Sequence, residues 1–240
     1  MHLRVAITMV FLLMIASTAC TEQSNDVRSG PESARAAETN DAEMNDQGFR
    51  PLFDGETLEG WKRHENLPGE QNQGGKWEVV NKAIVGDQDP PGYGGFLVTT
   101  DEYENFVLKM ESKLDFPVDS GIFLRMGKKG ESHQVTLDYR PDGTMGAVYM
   151  AFMQGFVDKV NATERFKKGK WNDLKVRIEG HPARIQFWLN GEKVTNFNHT
   201  EKTTEGAPEQ GYIGLQVHGG DNYKVGNKVR FRNIKIKELK

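Results

Sequence analysis

Cysteine is almost absent: the 240-residue chain contains one, Cys20. A disulfide needs two thiols and a thiolate-rich zinc site needs at least two, so neither can staple this fold. No apolar run beyond the N-terminus approaches the roughly 20 residues that a membrane-spanning helix requires. A charge excess is lacking too, with 31 Lys and Arg against 34 Asp and Glu and a formal charge of −3. Residues 1–19 hold only Arg4, and residues 20–48 hold seven acids against Arg28 and Arg35, which leaves 28 basic and 27 acidic residues in 49–240. A body so nearly neutral offers no electrostatic case for nucleic acid as a partner. Also missing are Gly-x-Ser-x-Gly, His-Glu-x-x-His, a phosphate-binding glycine loop and an EF-hand loop, which removes the common hydrolase, zincin, nucleotide and calcium-loop readings.

What is present begins with an export signal. Arg4 precedes an apolar run from Val5 to Ala16, broken only by Thr8, and Ser17, Thr18 and Ala19 then lead directly into Cys20. A basic start, a short apolar stretch and small residues are the order of a signal peptide. With Cys20 next, the segment resembles a bacterial lipoprotein signal, although Ser17 stands where Leu is usual. This predicts a signal over 1–19, lipidation at Cys20 and anchorage in the bacterial cell envelope, with membrane contact through that lipid only. Soluble secretion is the alternative. Residues 20–48 have few large apolar side chains and read as a disordered acidic tether.

From Phe49 the hydrophobic period becomes two, the mark of strands with one buried face. Phe106, Leu108, Met110, Leu114 and Phe116 alternate with Lys109, Glu111, Lys113 and Asp115, and Ile185, Phe187 and Leu189 alternate with Gln186, Trp188 and Asn190. Asn190-Gly191 supplies the pair of left-handed residues that a tight hairpin turn needs, and Pro141-Asp142-Gly143 marks a further turn. No stretch of 12 or more residues has helical periodicity. Residues 49–240 therefore read as one all-β sandwich of two antiparallel sheets, in which the outer face of one sheet can curve into a ligand groove.

Four segments carry chemically useful residues on the face opposite their apolar partners. In Ser120–Arg125, Phe123 and Arg125 oppose Ile122 and Leu124; in Gln134–Asp138, Gln134, Thr136 and Asp138 oppose Val135 and Leu137. Tyr149 opposes Val148, and Gln216 and His218 oppose Leu215 and Val217. If these strands share a sheet, Arg125, Gln134, Asp138, Tyr149, Gln216 and His218 converge. Singly, each also reads as an ordinary surface residue, Arg125 and Asp138 as an ion pair.

The same segments carry a family likeness. Pro51-Leu52-Phe53-Asp54-Gly55 with Leu58-Glu59-Gly60-Trp61, Trp77-Glu78-Val79, Ser120-Gly121-Ile122-Phe123-Leu124-Arg125, Gly146-Ala147-Val148-Tyr149, Gly211–Gly219 and Val229–Leu239 follow one another as in the 3-keto-disaccharide hydrolase family. The body resembles that family over nearly all of 49–240. The resemblance implies a concanavalin A-like jelly-roll sandwich and an oligosaccharide or glycoside substrate. Two departures stand out. Asp119 replaces a frequent Asn, and the strand that usually reads Tyr-Glu-Val-Gln-Ile-Leu-Asp is Ser132-His133-Gln134-Val135-Thr136-Leu137-Asp138. The family's Glu falls on His133 or Gln134 depending on one gap, so a carboxylate is missing and Asp138 alone survives.

An ordinary glycosidase needs two carboxylates about 5–9.5 Å apart, and the Glu-x-Asp-x-x-Glu run of laminarinase-like relatives is absent. A sugar with a ketone at C3 is easier to cleave, because the ketone acidifies C2–H and the C1 substituent can then be eliminated before water adds back. That route needs a base, an enolate stabiliser and an acid. The residues present can fill these roles, with Asp138 as base or metal ligand, Arg125 as enolate stabiliser and His218 as acid or second base, since imidazole ordinarily titrates near neutrality. Gln134, Tyr149 and Gln216 would hold sugar hydroxyls, with His133 as a further substrate contact and Trp188 as a stacking surface. A divalent cation between Asp138 and His218 is conceivable, but two scattered ligands leave the metal and any cofactor unknown. The rival reading is a lectin-like, non-catalytic lipoprotein, and a surface scaffold is a third.

Overall fold

The computed structural model describes residues 46–65, 67, 69–151, 155–220 and 226–240. The signal, Cys20 and nearly all of the tether lie outside the described residues. Among the described residues, fifteen strands form two sheets in which every paired strand is antiparallel. One sheet contains β1 (Arg50–Pro51), β3 (Lys76–Val80), β4 (Ala83–Asp87), β6 (Phe106–Leu114), β11 (Asn172–Glu179), β12 (Arg184–Leu189), β13 (Glu192–Asn198) and β15 (Val229–Glu238). Its order is β13-β12-β11-β6-β15-β4-β3, with β1 paired to β15. The other contains β2 (Trp61–Arg63), β5 (Gly95–Thr99), β7 (Ser120–Met126), β8 (His133–Leu137), β9 (Val148–Met150), β10 (Gly155–Asp158) and β14 (Tyr212–Val217), in the order β10-β9-β8-β7-β14-β5-β2.

The alternating apolar residues meet between the sheets. Phe106, Leu108, Leu114, Ile185, Phe187 and Phe231 from the first sheet pack with Ile122, Leu124, Val135, Leu137 and Leu215 from the second, all nearly inaccessible to water. Each such side chain contributes about 1.5–3 kcal/mol by leaving water. Asn190 (φ 52°) and Gly191 (φ 87°) turn β12 into β13 as their residue types require. β6 ends at Leu114, short of the expected Phe116, which is 57% exposed. Pro117 follows it and has no N–H with which to extend the ladder. Among the described residues the α-helical content is one turn, Glu201–Thr204, capped by the Thr200 hydroxyl.

Candidate active site

The second sheet presents its outer face to a cleft of about 1050 Å³. Strand register arranges the lining residues in rows that cross the strands. One row runs Phe156, Tyr149, Gln134, Phe123 and Gly214, through the pairs Phe156–Tyr149, Tyr149–Gln134, Gln134–Phe123 and Phe123–Gly214. The next holds the pairs Thr136–Gly121 and Gln216–Phe96. One step beyond the Ser120–Leu137 pair stand Asp119 and Asp138, and His218 directly follows the end of β14 at Val217. Asp119, Asp138 and His218 all line the cleft.

This end of the cleft is charged and interlocked. Arg140 Nε and Nη2 donate to Asp138 Oδ1 and Oδ2 at 2.8 and 2.7 Å, and Arg140 Nη2 also reaches Asp119 Oδ2 at 2.9 Å. A bidentate guanidinium fixes the carboxylate plane as well as its charge. The turn explains why Arg140 sits here. Pro141 fits the second position of a β-turn, and Gly143 N closes it on Arg140 O at 2.9 Å. Gly143 then lies against Asp138, where a Cβ would come within 2.3 Å of the Asp138 carbonyl oxygen, so the chain can curl back only with glycine there.

Along the floor, Gln134 Nε2 donates to Gln216 Oε1 at 3.2 Å. Each amide keeps further hydrogen-bonding capacity for ligand hydroxyls. Gln134 lies over Gly121, whose missing side chain makes the room: a Cβ there would be 2.2 Å from Gln134 Nε2. Ser120 Oγ donates to Gln216 O at 2.6 Å and ties β7 to β14 beneath this pair. Tyr149 meets Phe156 edge-on at 5.1 Å, and burial pushes its phenol pKa up. His218 is exposed, and its Nδ1 lies on Gly219 O, a pure acceptor, so Nδ1 carries a proton.

The sequence profile of the 3-keto-alpha-glucoside-1,2-lyase-like domain matches residues 48–237. The chain belongs to this family. Members of it are 3-keto-glucoside lyases and hydrolases, and this lyase-like domain is carbohydrate-active. It is 26% identical to a 3-keto-disaccharide hydrolase of Bacteroides thetaiotaomicron, over 93% of this chain and 91% of that one. It also superposes on a provisionally assigned glycosyl hydrolase of Parabacteroides distasonis ATCC 8503, with a TM-score of 0.57, 22% identity and coverage of 85% and 97% of the two chains. The carbohydrate binding module CBM66 of Bacillus subtilis shares the sandwich, with a TM-score of 0.56, 14% identity and coverage of 75% and 96%.

The lyase-like domain thus gathers Gln134, Asp138, Tyr149, Gln216 and His218 in one cleft. It does not gather Arg125. A bulge between β7 and β14, with Arg125 at φ 54°, breaks the alternation, so that Met126 rather than Arg125 follows Phe123 on the cleft side. The Arg125 side chain turns inward, fully buried, and donates to Glu104 O, Gly180 O and Asn105 Oδ1 at 2.6, 3.0 and 2.9 Å. Burial lowers its pKa to about 10. Arg125 is therefore a structural cation, and the expectation of an enolate stabiliser at this position is corrected.

His133 is corrected as well. It shares the inward parity of Val135, is 1% exposed, and pairs with His199 at 3.2 Å instead of meeting a ligand. Trp188 lies on the first sheet, away from the cleft, with Lys175 and Lys193 nitrogens 3.8 and 5.2 Å from its ring. Arg140 was missed in the sequence, because it sits past the end of β8 where alternation no longer assigns a face. The Pro-Asp-Gly turn beside it was the available signal. Among the described residues no three His, Cys, Asp or Glu side chains gather as a metal site.

Proposed function

We propose that this domain cleaves the glycosidic bond of 3-keto-disaccharides or 3-keto-glycosides by elimination followed by hydration. The observation that carries this reading is the charged end of the cleft, where Asp138, Arg140 and Asp119 interlock and His218 lines the same space. Asp138 takes the C2 proton. The freed electron pair forms a C2–C3 enolate, whose negative oxygen is met by the Arg140 guanidinium. The enolate collapses to a C1–C2 double bond, the C1–O bond breaks, and the leaving oxygen takes a proton from His218. Water then adds at C1 and gives its proton to His218, and Asp138, whose carboxyl proton has exchanged with solvent, delivers a proton to C2. The sum is one water consumed and two free hydroxyl compounds, one still a 3-ketone. Gln134, Gln216 and Tyr149 hold the ring hydroxyls. The proposal includes anchorage to the bacterial cell envelope through Cys20, supported by the order of residues 1–20.

The test is incubation with a 3-keto-disaccharide in deuterated water, followed by mass spectrometry. Elimination and hydration deliver the two halves, with one carbon-bound deuterium at C2 of the keto half. Asp138→Asn lowers kcat by about 10²–10⁴-fold. Unchanged substrate, or turnover undiminished in Asp138→Asn, overturns the reading, and products without deuterium replace elimination by direct hydrolysis. Gln134 in place of a carboxylate favours the lectin-like alternative, which predicts saturable sugar binding without cleavage.

A further inference from the structure

The cleft is not uniform along its strands. From Asp138 to Gln134 the chain runs four residues, about 13 Å of strand, and over that length the lining changes from charged to amide. Beside the amides the lining becomes apolar: Phe123 pairs with Gln134 and Phe96 with Gln216 across the strands, and Met126 lies one row further from Asp138. Leu67, Phe96, Phe123 and Met126 form a hydrophobic cluster of their own, separate from the core between the sheets, and all four line the cleft. Phe96 and Phe123 meet edge-on at 4.8 Å. The outward face of an antiparallel sheet is where alternation ordinarily places polar side chains; here the four apolar side chains are packed on one another and nearly closed to water, with Phe96, at 8%, the most open of them. The polar residues that line this end include Asn72, Lys129 and Glu131, and Glu131 Oε2 accepts from the Lys129 backbone N–H at 2.9 Å.

We infer that this apolar end receives the leaving group, and that the preferred substrates are 3-keto-glycosides of apolar, ring-bearing alcohols rather than 3-keto-disaccharides. The inference rests on the elimination site at the Asp138 end, which fixes where the keto sugar lies. A pyranose there whose C1 substituent points away from Asp138 lays that substituent over the Gln134–Gln216 pair, against Phe96 and Phe123, which flank it. A second sugar would bring hydroxyl groups against carbon, where each unpaired one costs binding. An aromatic ring leaves water for a surface that already excludes it.

The test compares phenethyl and methyl 3-keto-α-glucosides with the glucosyl compound linked through the 4-hydroxyl of its second glucose, so that every leaving group is an unactivated alcohol and the comparison reads recognition. We expect kcat/KM for the phenethyl compound to exceed that for the methyl compound by about tenfold or more, and to exceed the glucosyl compound as well. Phe96→Ser brings the phenethyl-to-methyl ratio close to one, and Phe96→Leu keeps most of it. A ratio near one in the wild type, a faster glucosyl substrate, or a ratio that survives Phe96→Ser overturns the inference. If no glycoside is cleaved, the elimination reading fails by itself. The apolar end is then judged by calorimetric binding of unoxidised phenethyl and methyl α-glucosides to the wild type: tighter phenethyl binding that Phe96→Ser abolishes supports it, and equal binding overturns it.

Discussion

Acid should destabilise this fold through His133, and the size of the effect follows from its surroundings. The His199 Nδ1 lies 3.2 Å from the Thr203 carbonyl oxygen, which can only accept, so His199 Nε2 must accept the 3.2 Å bond from His133 Nδ1–H. His133 Nε2 is then unprotonated, buried, and without a hydrogen-bond partner. A proton there would place a charge in the interior near His199, Arg125 and His181, and the favourable Pro208 backbone does not offset that cost. Burial is the largest cause, and it lowers the pKa from 6.5 to about 3. The unfolded chain therefore binds this proton near pH 6.5 and the folded chain only near pH 3. Stability is fully present above the unfolded pKa and falls as pH drops through the window between the two. The loss reaches about 2 kcal/mol at pH 5, which for a domain of this size lowers Tm by roughly 4–8 °C. Scanning calorimetry of the wild type and His133→Gln from pH 7.5 to 5 isolates the effect. His199 is also depressed by burial and contributes in the same direction in both proteins. The gap in Tm should move in favour of the variant as pH falls. A gap constant to within about 1 °C would show that His133 is protonated in the folded protein and refute the reasoning.

Arg125→Met removes a buried guanidinium and its hydrogen bonds to Glu104 O, Gly180 O and Asn105 Oδ1 and should cost about 2–4 kcal/mol, visible as a lowered Tm, with KM of the folded protein unaltered. A raised KM at unchanged Tm would return Arg125 to the cleft. Gly121→Ala drives Gln134 off its resting place and should raise KM about tenfold or more while Tm holds; an unchanged KM would mean that substrate does not cross that row. Arg140→Gln removes the cation shared by Asp119 and Asp138, and steady-state kinetics should show kcat reduced about 100-fold. A retained kcat would remove Arg140 from the chemistry.

The strands were legible because a half-buried strand must alternate, and alternation also assigned the cleft face correctly for Gln134, Thr136, Asp138, Gln216 and His218. The same parity already placed His133 opposite Gln134, a conclusion that alignment with the family Glu obscured. Trp188 was assigned an outward face, and it has one, but on the other sheet. Period-two reasoning tells inside from outside and carries no information about which of two outsides a residue occupies.

The amino-acid order by itself determined that this chain forms antiparallel strands, where Asn190-Gly191 and Pro141-Asp142-Gly143 turn it, and which side chains avoid water. These are consequences of local sterics and of apolar spacing over a few residues. Tertiary structure alone decided which cation meets Asp138. A single bulge swings Arg125 into the interior, and one turn brings Arg140 to the cleft. Both outcomes depend on register between strands distant in sequence, where one extra residue reverses every side chain that follows.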